Sequence, residues 1–313
     1  MHRVLICFGL LMALTLTSTP QSIAAERGIF DYEGQLAAGK DVKKVIFIAD
    51  AGTHGARGNH EFVAGSILLA RELNANYPNV HAVVFTTKNW PKKVEHADAI
   101  IVALNPGQRA ATDPNLFAAM RKGAGFMAIH FGVEVNKGEA GGNYLQWMGG
   151  YFETFWSVNP WWTPEFKEFP DHPIARGVKP FSVKDEWYYH MRFVPDMKGV
   201  TPILSAIPPL NTAGKEPSDR GGNAAVHAEV AAGKAQHMAW AYERPDGGRG
   251  FGFTGLHQHT NLGDDSFRTV LLNGAAWVTK LDIPANGVPS KTPDKDALEK
   301  VIDDAREAIE SGR

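Results

Sequence analysis

Runs of apolar residues separated by polar punctuation set the first expectations. Lys44-Val45-Ile46-Phe47-Ile48-Ala49-Asp50 is continuously apolar and closes on Ala51-Gly52, as a parallel strand buried on both faces should read. From His60 to Asn74 the positions Phe62, Ile67, Leu68, Leu69 and Leu73 fall at helical spacing. Short strands are predicted over 81–85 and 99–104. A helix over 114–122 follows, with Asp113 ahead of it and Pro114 in its first turn. A fourth strand is predicted over 125–130. Strand and helix in regular alternation predict an α/β fold, a parallel sheet with helices on both faces.

Past Gly150 the texture changes. Residues 147–187 hold five of the eight tryptophans, and Pro160, Pro164, Pro170 and Pro173 interrupt any long element. An aromatic-rich insertion of about 147–190 is expected there, built of long loops. Regular structure is predicted again at 200–204, 236–243 and 249–256, with Gly247-Gly248 as a tight turn and a helix over 266–277. The last stretch, 289–313, reads as a charged, peripheral tail, helical over 297–309.

Composition narrows the function classes. Thirty-two basic and 34 acidic side chains leave a net charge of −2, with none of the basic excess of a nucleic-acid binder. Neither G-x-x-x-x-G-K-[ST] nor a post-strand G-x-G-x-x-G occurs, and Gly141-Gly142 and Gly149-Gly150 are not phosphate loops, so no nucleotide cofactor is expected. The start reads as a Sec-type signal peptide: Met1-His2-Arg3, the apolar run Val4 to Leu16, then Ser22-Ile23-Ala24 before a cut after Ala24. The apolar run falls short of the ~20 residues of a bilayer span. A periplasmic or secreted protein is expected, covering 25–288 as its main domain and without a stable membrane span. Cleavage would also remove Cys7, the one cysteine.

Ligands of parallel sheets bind beyond the carboxyl ends of the strands, and several polar residues are predicted to lie there. Asp50-Ala51-Gly52-Thr53-His54 follows the first strand, with His60-Glu61 next; His130 follows the fourth, with Glu134 four residues on. His257-Gln258-His259 follows the strand over 249–256 and joins the same edge if that strand runs parallel. His54, His130 and His257 are therefore expected to converge. Imidazoles and carboxylates suit zinc or a similar divalent metal, with His54, His60, His257 and His259 as ligands. Hydrogen bonding to sugar hydroxyls and a structural role remain open alternatives. In Asp185-Glu186-Trp187-Tyr188-Tyr189-His190, alternation puts Asp185, Trp187 and Tyr189 on one face and Glu186, Tyr188 and His190 on the other. Trp156, Trp161 and Trp162 are expected to wall the crevice, at least one of them partly exposed. Trp156, Trp161, Trp187, Tyr188 and Arg192 are the expected sugar contacts.

Several segments in order resemble the ThuA-like (trehalose utilisation) family of the class I glutamine-amidotransferase-like superfamily. They are Thr53-His54-Gly55, Asn59-His60-Glu61-Phe62, Gly123 to His130, Trp147-Met148-Gly149-Gly150, Asp185-Glu186-Trp187-Tyr188, Gly247 to Gly255 and Leu272 to Trp277. The resemblance implies a flavodoxin-like sheet and carbohydrate catabolism, with disaccharides or their 3-keto forms as substrates. It places His130 near the nucleophilic cysteine of glutaminase relatives, and a mature chain without a thiol cannot use that mechanism. Acid–base isomerisation, elimination or hydrolysis, with or without a metal, would draw on His130, Glu134, His54, Asp185 and Glu186. A non-catalytic sugar-binding module, or a scaffold whose C-terminal helix docks a partner, are the alternatives.

Overall fold

Each apolar run becomes a strand because its side chains are covered on both faces. In chain order the elements are α1 (Tyr32–Ala37), β1 (Lys43–Ala49), α2 (Phe62–Asn76), β2 (Val80–Thr86), β3 (Ala99–Ala103), α3 (Gln108–Thr112), α4 (Pro114–Arg121), β4 (Gly125–Ile129) and α5 (Glu139–Met148). Two-residue strands β5 (Gly150–Tyr151), β6 (Trp161–Trp162), β7 (Asp185–Glu186) and β8 (Arg192–Phe193) punctuate the insertion. Then come β9 (Val200–Ala206), α6 (Ala224–Ala231), β10 (Gln236–Glu243), β11 (Arg249–Phe253), α7 (Asp265–Val278) and α8 (Lys295–Glu310). The computed structural model describes residues 28–312, and the expected signal peptide lies outside them.

Seven strands form one sheet in the order β2-β1-β3-β4-β11-β10-β9. β2, β1, β3, β4 and β11 are mutually parallel, while β10 runs antiparallel to both neighbours. The sheet is therefore mixed and mostly parallel, the flavodoxin-like arrangement, with the antiparallel strand confined to one side. One face packs on α2 and α7, with α8 lying outside α2, together with Trp162, Phe166, Trp187 and Tyr189 from the insertion. The other packs on α3, α4 and α5, through Ala110, Leu116, Met120, Tyr144 and Trp147.

Two local choices in the sequence position the site. Asp113 accepts from the amides of Asn115 and Leu116, capping α4 just ahead of β4. In β11, glycine alternates with phenylalanine: a Cβ on Gly250 would collide with the Trp147 carbonyl, and one on Gly252 with the Trp240 ring. Phe251 and Phe253 fill the opposite core. That close approach packs β11 against α5 and the Trp240 ring, and its parallel pairing with β4 makes both strands exit at one edge. The charged tail forms α8, which buries Leu298, Ile302, Ala305 and Ala308 against α2 and the segment after β11. Its apolar stripe is thus taken by its own chain, and its charged residues face outward.

Candidate metal centre

Ile129 ends β4 and the chain turns at once, leaving His130 with a φ of 51° and no solvent exposure. His60 precedes α2 with a φ of 52° and is also buried. Left-handed backbone at a non-glycine residue is strained, and two such histidines meeting face to face mark a built site. The Nδ1 of His130 lies 2.9 Å from the Thr254 carbonyl, and that of His60 3.1 Å from the His54 carbonyl. A carbonyl can only accept, so both Nδ1 atoms carry protons and both Nε2 lone pairs point inward. Those two Nε2 atoms are 3.2 Å apart.

Glu186 and His257 complete the group. Glu186 Oε2 is 2.9 Å from His257 Nδ1 and 3.5 Å from His130 Nε2, and Asn159 donates to Oε1 at 3.1 Å. Burial disfavours the Glu186 charge, but the adjoining His130 and His257 imidazoles outweigh it and hold its pKa down to about 2. Burial and the neighbouring His130 push His60 down to about 3, so its ring stays neutral. One ligand atom each from His60, His130, Glu186 and His257 lies within 4.8 Å of the others. Inward lone pairs, a charged carboxylate and Nδ1–H groups tied to carbonyls fit a first-row divalent metal such as zinc.

The remaining expected residues divide. His54 is exposed and stacks on His60 with ring centroids 3.7 Å apart, so it covers the group without belonging to it. His259 is buried beneath α8, close to Leu298 and Glu299, and its ring is not one of the four; this corrects its place as a ligand. Asp185 is fully buried and accepts from the amides of Leu256, His257 and Gln258 and from Asn261. It shapes the His257 loop and does not face the crevice. Glu134 is clamped by Arg220 at 2.7 Å, and burial, only partly offset by that cation, raises its pKa. Tyr188 places its hydroxyl 3.2 Å from His130 Nε2 and 3.3 Å from Glu186 Oε2.

Among the aromatics, Trp161 is 42% exposed and sets its ring edge-on to His257, 4.5 Å between centroids. Trp162 and Trp187 are core residues, each donating its indole N–H to a backbone carbonyl, so neither faces a ligand. Trp156 is also withdrawn, because His190 stacks on it at 4.3 Å and the Arg192 guanidinium lies 3.7 Å from the ring. Arg192 itself is spent on Glu153 at 2.9 Å. Of the expected aromatic wall, only Trp161 stands at the centre. Arg220 and Asn159 were not foreseen; the charged, glycine-flanked Asp219-Arg220-Gly221-Gly222 is the signal that could have flagged the first.

A profile described as ThuA, trehalose utilisation, matches residues 53–278. Among solved structures, a thua-like protein from Bacteroides uniformis is 17% identical with a TM-score of 0.50, covering 77% of this chain and 93% of that one. A thua-like protein from Parabacteroides merdae is 13% identical with a TM-score of 0.46, covering 82% and 94%. PurLQS from Thermotoga maritima is 11% identical with a TM-score of 0.39, covering 84% and 98%. A comparison with curated proteins finds no match.

Proposed function

The chain belongs to the ThuA (trehalose utilisation) family, and from that premise we propose an exported carbohydrate-catabolism enzyme acting on a disaccharide or 3-keto-glycoside by metal-assisted acid–base chemistry. The observation that carries the reading is the facing pair of Nε2 atoms in His60 and His130, 3.2 Å apart and closed by Glu186 and His257. Those four residues would hold the ion. A bound divalent cation supplies polarisation of a sugar carbonyl or hydroxyl oxygen.

The chain's own groups do the rest. A 3-keto sugar has an acidic C–H beside its carbonyl, and a base positioned there can remove it toward isomerisation or elimination. Glu134 is our base: burial raises its pKa, which strengthens it as a proton acceptor, and Arg220 fixes its direction. Tyr188, whose phenol burial holds well above its ordinary pKa, keeps its proton and can donate a hydrogen bond to a developing oxyanion. Trp161 offers an apolar ring face to a pyranose, and exposed His54 lines the approach.

A sugar-binding module without turnover is the second reading, favoured by exposed Trp161, which stacking alone would require. Elemental analysis of the exported protein comes first, then thermal shift and product NMR with trehalose and 3-keto-trehalose, with and without chelator. We expect about one divalent metal per chain, chelator-sensitive stabilisation by sugar, and a new product. Sugar stabilisation without product would select the binding module, and the absence of both would sink the carbohydrate reading. Intact mass should show cleavage after Ala24.

A further inference from the structure

The loop from Asp50 to Glu61 carries His54 and His60, yet residues 52–57 are exposed and bury no apolar anchor. Gly55 and Gly58 both take positive φ, 90° and 93°, giving the segment wide backbone freedom. Besides the Asn105 side-chain amide, which donates to the Gly52 carbonyl at 3.2 Å, its outer restraints come from α8. Arg57 Nε donates to Glu299 Oε2 at 2.8 Å, and its Nη2 to Asp303 Oδ1 at 2.8 Å and to the Glu299 carbonyl at 3.3 Å. Arg306 reaches Glu61 Oε1 at 3.4 Å. On the inner side the loop is stitched to the other ligand-bearing segment. The His60 amide donates to the His257 carbonyl at 2.9 Å and the His259 amide to the Gly58 carbonyl at 2.8 Å. The buried side of α8 rests on that second segment above His259.

We propose that Arg57, with Glu299 and Asp303, is a positioning clamp through which the C-terminal helix holds the His54–His60 loop in register with His130 and His257. The planar fork of arginine suits the task, since one side chain spans two carboxylates a helical turn apart. A free loop would have to be ordered when the ion binds; a clamped one is ordered beforehand, so the clamp raises affinity without touching the ion. The proposal rests on the metal reading, and its test separates the two.

The full mature chain is compared with Arg57→Ala and with the double variant Glu299→Gln/Asp303→Asn. Exposed ion pairs contribute little to global stability, so both should fold. Hydrogen exchange should rise by about tenfold at 52–60 and nowhere else, through local opening. Zinc or cobalt affinity, read by chelator competition and the cobalt absorption band, should weaken by about tenfold, as for lost outer-shell support. Combining all three substitutions should add nothing further. Unchanged exchange at 52–60 overturns the clamp, as does raised exchange with unaltered metal affinity, or a rise spread over the whole chain. If the parent protein takes up neither zinc nor cobalt, the metal reading falls on its own, and loop exchange alone decides whether α8 orders the segment.

Discussion

At the scale of single residues, the site draws its character from burial. A histidine at a crevice is expected to contribute little to the core, but His130 has no exposed surface and its Nδ1–H satisfies the Thr254 carbonyl. His130→Ala should therefore remove the metal and cost stability as well. Leaving a buried carbonyl unpaired costs about 1–3 kcal/mol, measurable by denaturant unfolding of the chelated protein, where the metal contributes nothing. An unfolding curve identical to the parent's would contradict the buried pairing of His130 with the Thr254 carbonyl. Alternation over 185–189 was legible in the residues: Trp187 and Tyr189 join one core, and Glu186 and Tyr188 reach the histidines. It fails at His190, whose φ of 60° turns the ring away to Trp156 and Glu229. Nothing in a six-residue pattern announces such a turn.

Elements were easier to read than their neighbours. The apolar runs at 44–50, 99–104 and 125–130 became β1, β3 and β4 because buried strands leave an unbroken signature. α5 escaped notice: its buried apolar positions Ala140, Tyr144, Trp147 and Met148 are interrupted by Gly141 and Gly142, which blur the helical period. The glycines of β11 carry the strongest element-scale consequence. Gly250 lies where a side chain would strike the backbone of α5 at Trp147 and Met148. Gly250→Ala should thus cost about 1–3 kcal/mol by overpacking and displace the exit of β11, loosening His257. Chemical denaturation beside zinc titration checks both effects. A fully stable variant with parent-like zinc affinity would mean that α5 yields without loss.

Across the whole molecule, acid should undo the fold well before its carboxylates are exhausted. Burial pushes His259 and His172 down to about 4, whereas an unfolded histidine titrates near 6.5. Between those values the unfolded chain binds protons that the folded chain refuses, so stability present above pH ~6.5 drains away as pH falls. His259, nearly inaccessible, should alone contribute a slope of about 1.4 kcal/mol per pH unit. Urea midpoints at pH 7, 6 and 5 would show the decline, and His259→Gln should flatten it. By itself the sequence determined the βαβ layering, the insertion and the strand ends at which histidines gather, because buried strands and helices write their periods locally. Only the tertiary structure decided which histidines share a centre. His130, expected as an acid–base group, was brought among the candidate ligands by a left-handed turn, His259 was drawn under α8, and Trp156 was covered by Arg192. Each of these outcomes depends on what another segment, distant along the chain, leaves room for.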